Sequence, residues 1–262
     1  MGRVGTPPSQ ATTRLRTVIV GFCGSGSMAA AMARGWVGEA ELLFTDSGSG
    51  RAAGLADEVD GEALDSNAEL AERADLLVLA IKPARLGEVA EELQGAKAVL
   101  SLLGATPLEM VEAAFPAADA SRVMPNVAVE VRKGVLCLAG AASPEVRALL
   151  DLLGHVVELP DEQFDAATAV MGCAPAYLAL AVEALADAGA DAGLDEELAR
   201  ELVVETTAGT AALLRIKHPA HVREAVASPG GSTEAGLDAL DREGAREAFE
   251  AAVRASLERM RG

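Results

Sequence analysis

The apolar positions of the first 160 residues come in short runs that alternate with stretches of helical periodicity. Residues 17–23 form a β-branched apolar run that stops at glycines, and residues 28–36 follow with a helical pattern. Residues 75–81 form a continuous apolar run, which is typical of a strand buried on both faces of a parallel sheet. Further strands are predicted at residues 41–45, 62–64, 98–103, 122–124 and 134–139, and a helix at residues 51–59. This alternation predicts a doubly wound α/β domain with a mostly parallel sheet.

The pattern changes near residue 160. From residue 164 onward, helical periodicity continues almost without strand signal, and helices are predicted at residues 164–190, 196–216, 221–227, 233–240 and 244–260. Gly172 and Pro175 predict a kink around residues 173–175 in the first of these helices. The chain is therefore expected to divide into a mobile tail at residues 1–16, an α/β domain at residues 17–160 and an all-helical domain at residues 161–262.

The helical half carries more apolar surface than one small domain needs. Its long helices rich in Ala, Leu and Val predict a homodimer, or a higher homo-oligomer of dimers, built from this half of the chain. The first 16 residues have no apolar run of the kind found in secretory signals. No uninterrupted apolar run reaches the roughly 20 residues of a membrane span. We therefore expect a cytoplasmic protein without a membrane partner.

The charge balance and the cysteines narrow the function classes. The net charge is −18, and Lys82, Lys97, Lys133 and Lys217 are the only lysines. Because nucleic-acid affinity rests on clustered Lys and Arg, no nucleic-acid partner is expected. The three cysteines are odd in number and lie in apolar surroundings, which indicates reduced thiols in the cytosol. Neither they nor the three histidines have metal-ligand spacing, so no metal site is predicted.

A glycine-rich segment predicts where a dinucleotide binds. Residues 24–29 read Gly-Ser-Gly-Ser-Met-Ala, which fits G-x-G-x-x-G/A between a predicted strand and a predicted helix. The glycines permit a tight turn and a close approach of pyrophosphate, and the helix N-terminus offers free N–H groups. Asp46, at the end of the second strand, suits the ribose hydroxyls of NADH, whereas Ser47, Ser49 and Arg51 suit the 2′-phosphate of NADPH. Both cofactors stay open, and the predicted binding residues are Gly24, Ser25, Gly26, Ser27, Met28, Asp46 and Ser47.

Three further segments are candidates for ligand contact. Lys82-Pro83 and Met124-Pro125-Asn126 each follow a predicted strand, at the edge where open α/β sheets bind ligands, although taken alone such a segment is more often just a turn. Residues 228–233 read Ser-Pro-Gly-Gly-Ser-Thr. They fit a helix N-terminus, capped by Ser232 or Thr233, that offers N–H groups to an anion; they also fit a plain turn between two helices.

These segments, taken in order, resemble the pyrroline-5-carboxylate reductase family over about residues 17–260. The strings that carry the resemblance are Gly21-Phe22 with Gly24, Gly26, Met28 and Ala29; Asn67; Ala74-Asp75; Ala80-Ile81-Lys82-Pro83; Arg122-Val123-Met124-Pro125-Asn126; Pro175-Ala176-Tyr177; and residues 228–233. The resemblance implies an N-terminal Rossmann domain and an all-helical C-terminal domain that forms an interlocked dimer. It also implies reduction of a small cyclic imine, 1-pyrroline-5-carboxylate, to L-proline with NADPH or NADH, the last step of proline biosynthesis.

The resemblance also implies roles for individual residues. It adds to the cofactor site Asn67, Ala80, Ile81, Lys82, Pro83 and Asn126. It places the substrate against Ser228, Gly230, Gly231, Ser232 and Thr233. Backbone N–H groups of Gly230, Gly231 and Ser232 would hold the substrate carboxylate at a helix N-terminus. The Thr233 hydroxyl would be catalytic and would hydrogen-bond the ring nitrogen, and interlocked helices would make the site a composite of two subunits.

The chain departs from the family pattern at three places, and two other functions stay open. The departures are Gly104-Ala105, Val127-Ala128 and Cys173-Ala174. A β-hydroxyacid or 6-phosphogluconate type dehydrogenase shares the two-domain plan, but those families carry a catalytic lysine early in the helical domain. Here no lysine lies between Lys133 and Lys217. The departure at residues 173–174 keeps open a nucleotide-binding paralogue that has lost catalysis.

Overall fold

The computed structural model of the chain describes residues 18–261. The predicted tail at residues 1–16 and the first residue of the first predicted strand lie outside the described residues.

Eight strands form a single sheet in the N-terminal part. They are β1 (Ile19–Cys23), β2 (Glu41–Thr45), β3 (Glu62–Ala63), β4 (Leu76–Leu79), β5 (Ala98–Ser101), β6 (Asp119–Pro125), β7 (Gly134–Gly140) and β8 (Gly154–Glu158). Their order across the sheet is β3-β2-β1-β4-β5-β6-β7-β8. Neighbouring strands are parallel except for β6 and β7, which are antiparallel. The strand order changes direction at β1, which has β2 on one side and β4 on the other. This change of direction confirms the predicted doubly wound architecture.

Twelve α-helices accompany the strands within the described residues. They are α1 (Ser27–Trp36), α2 (Arg51–Val59), α3 (Asn67–Arg73), α4 (Leu86–Glu92), α5 (Leu108–Ala114), α6 (Pro144–Leu153), α7 (Phe164–Ala167), α8 (Ala174–Asp191), α9 (Glu196–Leu214), α10 (Pro219–Val226), α11 (Ser232–Arg242) and α12 (Ala245–Arg261). Several begin at side-chain caps that the sequence provides: Ser66 accepts from the Glu69 N–H, Ser143 from the Val146 N–H, and Asp195 from the N–H groups of Glu197 and Leu198.

The sheet is covered on both faces. One face carries α1, α2 and α6, whose apolar side chains pack with Phe22 and Phe44 around the buried Trp36. The Trp36 indole N–H donates to the Leu149 carbonyl at 2.7 Å, which ties α1 to α6. The other face carries α3, α4 and α5, packed on Leu77, Leu79 and Val99. Burial on both faces explains why the strand residues read as continuous apolar runs.

The last strand, β8, was not predicted from the sequence. It is an edge strand of five residues whose side chains are largely exposed, so it lacks the buried apolar run that marks the other strands. Gly154 begins it with φ of +149°, and a Cβ there would lie 2.1 Å from the Gly134 carbonyl oxygen. The strand thus depends on a backbone approach that only glycine allows.

The helix predicted at residues 164–190 is interrupted near the position of the predicted kink. α7 is followed by a π-helical turn, Thr168–Gly172, and α8 begins at Ala174 with Pro175 in its first turn. Proline tolerates the first turn of a helix because the N–H that it lacks has no partner inside that helix. The kink therefore coincides with a change of helix type between α7 and α8.

The part of the chain from Asp161 to Arg261 consists of helices joined by short turns, without a strand, and leaves much of its apolar surface exposed. Leu178, Leu180 and Leu185 of α8 are all more than half exposed. The stretch Asp161–Asp191 contains an 18-residue window with a mean hydropathy of 1.7, of which 11% is buried, and is long and apolar enough to cross a membrane by length and composition. The chain alone does not cover this surface.

Candidate active site

A cleft of about 890 Å³ opens at the carboxyl edge of the parallel strands. Nine of the predicted cofactor residues line it: Gly24, Ser25, Gly26, Asp46, Ser47, Asn67, Ala80, Ile81 and Lys82. Four others do not: Ser27, Met28, Pro83 and Asn126. Ser27 and Met28 lie in the first turn of α1, where Met28 packs against the core. Pro83 begins a short 3₁₀ turn that follows Lys82.

The β1–α1 turn has glycine at two positions, and the structural reason for glycine differs between them. Gly24 has φ of +99°, and a Cβ there would lie 2.5 Å from the Ala80 carbonyl oxygen, so the turn requires glycine. Gly26 caps α1, and a Cβ there would meet no atom within 4 Å. The space beside Gly26 belongs to the cleft. The turn thus leaves room for a pyrophosphate at a helix N-terminus that has no side-chain cap.

Asp46 organises the loop that follows β2. One carboxylate oxygen accepts from the N–H groups of Gly48 and Ser49, at 2.7 and 2.9 Å. The other accepts from the Ser49 hydroxyl at 2.9 Å and the Ala52 N–H at 2.8 Å. These hydrogen bonds, that of Ala52 above all, lower the pKa of Asp46 to about 2. A carboxylate has about four acceptor positions, so none is left here for a ribose hydroxyl. The predicted ribose contact of Asp46 does not fit this arrangement.

Asn67 joins three elements at the floor of the cleft. Its amide oxygen accepts from the Thr45 hydroxyl at 2.6 Å and from the Cys23 thiol at 3.5 Å, and its amide nitrogen donates to Glu92 at 2.6 Å. Burial raises the pKa of Cys23 to about 11. The thiol is therefore neutral near pH 7 and is not a nucleophile. The sequence analysis did not single out Thr45 or Glu92, because neither lies in a recognisable motif.

Asn126 lies outside the cleft and is bound within the protein. Its amide oxygen accepts from the Val135 N–H at 3.2 Å, and its amide nitrogen donates to the Met171 carbonyl at 3.2 Å. Only 9% of the residue is exposed. Both polar ends of the side chain are thus bound within the chain, and the residue is absent from the lining of the cleft.

The predicted substrate loop forms the start of α11. Gly231 is the N-cap of α11 and no side chain caps it, so the expectation that Ser232 or Thr233 serves as the cap was wrong. Both residues already lie inside the helix. Among residues 18–261, the N–H groups of Ser232 and Thr233 and the Thr233 hydroxyl have no hydrogen-bond partner. This is a set of free donors at the positive end of a helix dipole.

Two of the predicted carboxylate donors are already used within the loop. The Gly230 N–H donates to the Glu234 carboxylate at 2.7 Å, and the Gly231 N–H donates to the Ser228 carbonyl at 2.9 Å. Glu234 was not predicted from the sequence. The signal was present in its spacing, because a Glu three residues after an N-cap reaches back to backbone N–H groups in a capping box.

The described chain does not bring the two halves of the predicted site together. The lining of the cleft comes from residues between Cys23 and Glu92, and no residue of the loop at 228–233 contributes to it. Within residues 18–261, no group of three or more His, Cys, Asp or Glu side chains is placed to hold a metal ion. The chain therefore presents a dinucleotide cleft at one place and a set of anion donors at another.

The chain is similar to known proteins along nearly its whole length. Residues 161–262 match a family model described as pyrroline-5-carboxylate reductase dimerisation, and residues 19–104 match one described as NADP oxidoreductase, coenzyme F420-dependent. Pyrroline-5-carboxylate reductase from Synechocystis is 36% identical over 204 residues, which cover 74% of this chain and 76% of that protein. The Thermus thermophilus enzyme of the same name is 34% identical over 254 residues, which cover 94% of this chain and 97% of that protein.

A solved structure extends the similarity to three dimensions. The crystal structure of Plasmodium falciparum pyrroline carboxylate reductase with NADP bound has a TM-score of 0.82 to this chain at 26% identity. The match covers 93% of this chain and 97% of the other. Together with the open glycine turn and the Rossmann sheet, these similarities show that the chain is an NAD(P)-dependent oxidoreductase that belongs to the pyrroline-5-carboxylate reductase family.

Proposed function

We propose that this chain reduces 1-pyrroline-5-carboxylate to L-proline with NADPH or NADH, as the last step of proline biosynthesis. The observation that carries the proposal is the start of α11, where the backbone N–H groups of Ser232 and Thr233 and the Thr233 hydroxyl are free within the described chain. A carboxylate bonded to the two N–H groups leaves a neighbouring ring nitrogen within reach of the hydroxyl. The substrate carries these two groups on adjacent atoms.

The residues of the cleft fit a nicotinamide dinucleotide. When bound, NAD(P)H supplies the hydride that the imine carbon accepts. The open space at Gly26 and the uncapped start of α1 suit the pyrophosphate. Ser47 and the guanidinium of Arg51 also line the cleft, and Asp46 is occupied by its own loop. The cation beside the ribose position favours NADPH over NADH.

The protein's contribution to the reaction is mainly to place the substrate. A protonated imine is already electrophilic, so the site needs no strong acid, and positioning dominates. Backbone N–H groups at the start of α11 hold the carboxylate, with a gain of about 0.3 to 1 kcal/mol for each favourable contact with the helix dipole. The Thr233 hydroxyl orients the ring nitrogen. Gly230 joins these donors when Glu234 gives up its N–H.

We place this site between two copies of the chain. The α11 loop contributes nothing to the cleft of its own chain, although both are needed for hydride transfer. The uncovered apolar faces of the helical half supply a surface on which a second copy can pack. A homodimer in which the loop of one copy closes the cleft of the other unites the two halves. The acidic charge balance and the free cysteines support a cytoplasmic location.

A single assay tests the proposed reaction. The purified chain is mixed with NADPH and 1-pyrroline-5-carboxylate, and NADPH absorbance and L-proline are followed together. We expect equal amounts of NADPH consumed and L-proline formed. A β-hydroxyacid with NADP⁺ serves as the parallel substrate for the alternative dehydrogenase function. Oxidation of the hydroxyacid without imine reduction would favour that alternative, and NADPH binding without turnover of either would favour an inactive paralogue.

A further inference from the structure

Asn126 lies at the carboxyl edge of the parallel strands, the same edge at which the cleft opens. It follows the last residue of β6, and β1, β4, β5 and β6 run parallel to one another. Their carboxyl ends therefore share one edge. β6 is two strands from β4, whose end lines the cleft, and at about 4.8 Å per strand this places Asn126 roughly 10 Å along the edge.

The two partners of Asn126 fix the orientation of its amide. The Val135 N–H only donates and the Met171 carbonyl only accepts, so the amide oxygen faces the first and the amide nitrogen faces the second. The backbone N–H of Asn126 also donates to the Val135 carbonyl at 3.0 Å. One partner is thus in the sheet and the other is in the helical part, which makes this side chain a link between the two.

Met171 needs this link because of Pro175. In an α-helix, the carbonyl of residue 171 would accept from the N–H of residue 175. Pro175 has no N–H, and the preceding π-helical turn pairs the Cys173 N–H with the Thr168 carbonyl, at 3.0 Å, instead. The Asn126 amide nitrogen therefore supplies the donor that the proline removes. This hydrogen bond holds the end of the π-helical turn, directly before α8, against the sheet edge.

A second contact from β6 holds the other end of the same segment. Arg122 is four residues before Asn126 and is buried; it pairs with Asp161 at 2.7 Å and stacks on the Phe164 ring at 4.6 Å. Asp161 also accepts from the Leu108 N–H at 2.9 Å. The segment Asp161–Gly172 is thus fixed to the sheet at its beginning by Arg122 and at its end by Asn126.

We propose that Asn126 is a positioning residue for imine reduction: it fixes the start of α8 against the carboxyl edge of the sheet and does not bind the cofactor. The inference rests on the proposed reaction. It separates two functions of a single side chain that the sequence alone cannot separate. A cofactor ligand would change the affinity for NADPH, whereas a positioning residue changes the turnover of bound substrate.

The test compares Asn126→Ala with the wild-type chain in three measurements: NADPH affinity, the steady-state constants for 1-pyrroline-5-carboxylate, and Tm. We expect kcat to fall about 10-fold, since small displacements of a reacting group are costly, with NADPH affinity unchanged. If Asn126→Ala does not fold, Asn126→Ser is measured in its place, because serine keeps an acceptor for the Val135 N–H. Weaker NADPH binding that accounts for the lost rate would show that Asn126 is a ligand of the cofactor. A lower Tm with unchanged kcat would show that its hydrogen bonds are purely structural. Either result overturns the inference.

A double variant separates the tie to the sheet from the missing donor. Pro175→Ala restores an N–H four residues after Met171, so Asn126→Ala/Pro175→Ala gives the Met171 carbonyl a donor within the helix but restores no contact with the sheet edge. We expect its kcat to stay as low as that of Asn126→Ala, and recovery of the wild-type kcat would contradict the positioning role. The wild-type chain in the same assay keeps the two proposals apart. An inactive wild type contradicts the proposed reaction, and an active wild type with an equally active Asn126→Ala contradicts only the inference.

Discussion

The two halves of this chain bury their apolar residues to very different extents. Before residue 160, the sheet and its helices form a double-sided core, with Trp36, Phe22 and Phe44 buried on one face and Phe115 buried on the other. Between Asp161 and Arg261, the only buried apolar residues are Phe164, Ala169, Ala186 and Ala199. The leucines of the helical half are mostly exposed.

The two halves of the enzyme therefore differ in what each can do alone. The N-terminal half is complete as a dinucleotide-binding unit, because its cleft is lined by residues of its own sheet and helices. The C-terminal half carries free donors at α11 but lacks a cover for its apolar faces and a cofactor of its own. In the proposed dimer, the helices whose apolar faces the second copy covers also carry the α11 donors to the cleft of that copy. Stability and catalysis are expected to depend on one interface.

The largest effect is expected when the helical half can no longer pair. Leu180 on α8 is 65% exposed in the single chain. Leu180→Glu would place a charge in the apolar interface, which is costly without a partner charge, and should yield a monomer without measurable imine reduction. Met110→Glu is the matched control, because Met110 is 55% exposed in the N-terminal half. Light scattering measures the oligomeric state and the NADPH assay measures imine reduction. A Leu180→Glu dimer of normal activity would show that α8 is not part of the interface.

The next effect concerns the N-terminal half alone. Gly26→Val fills the space that the pyrophosphate needs, and should weaken NADPH binding by at least about 100-fold, or about 2.7 kcal/mol. The chain should stay folded, since a Cβ at Gly26 meets no atom within 4 Å. Gly54→Val on α2 is the control, because Gly54 has equally open surroundings outside the cleft. A titration that finds normal NADPH affinity in Gly26→Val would disprove the cofactor site.

A smaller effect is expected from the donors of the helical half. Thr233→Ala loses a hydrogen bond to a charged ring nitrogen, worth roughly 1.5 to 3 kcal/mol, and kcat/KM should fall by about 10- to 150-fold. Thr233→Ser should recover most of this rate, and NADPH affinity should not change in either variant. Thr207→Ala, which loses a helix hydroxyl bonded to the Val203 carbonyl, is the control. A normal kcat/KM in Thr233→Ala would exclude the hydroxyl from the site.

The smallest effect concerns the loop after β2 and depends on pH. The folded pKa of Asp46, about 2, is lower than its ordinary value of 3.8, so the charged form stabilises the fold above pH 3.8 and this contribution is lost as pH falls toward 2. Asp46→Asn should therefore lower Tm at pH 6, and the difference from wild type should shrink on acidification between pH 4 and 2. NADPH affinity should fall only a few-fold through disorder of the loop. A Tm difference that is constant with pH would contradict this role.

The sequence predicted features that depend on local pattern and missed those that depend on partners. Gly24 and Gly26 could be assigned because G-x-G-x-x-G/A between a strand and a helix is a local pattern that identifies a phosphate-binding turn. Asp46 and Asn126 were given cofactor contacts because their positions at strand ends are right for ligands. Their hydrogen bonds lie with Ala52 and Met171, and no sequence pattern shows which of two possible partners a polar side chain takes. Strand β8 was missed because an exposed edge strand has no apolar run.

The division of one site between two copies is tested most directly by a mixed dimer. Gly26→Val and Thr233→Ala chains with different tags are co-expressed, and only dimers that carry both tags are purified. If the cleft of one copy works with Thr233 of the other, one of the two sites in each mixed dimer has an intact cleft and an intact hydroxyl. The mixed dimer is expected to show about half of the wild-type activity per dimer, far above either parent variant. Activity no higher than the mean of the two parents would show that each chain uses its own Thr233, and would contradict the shared site.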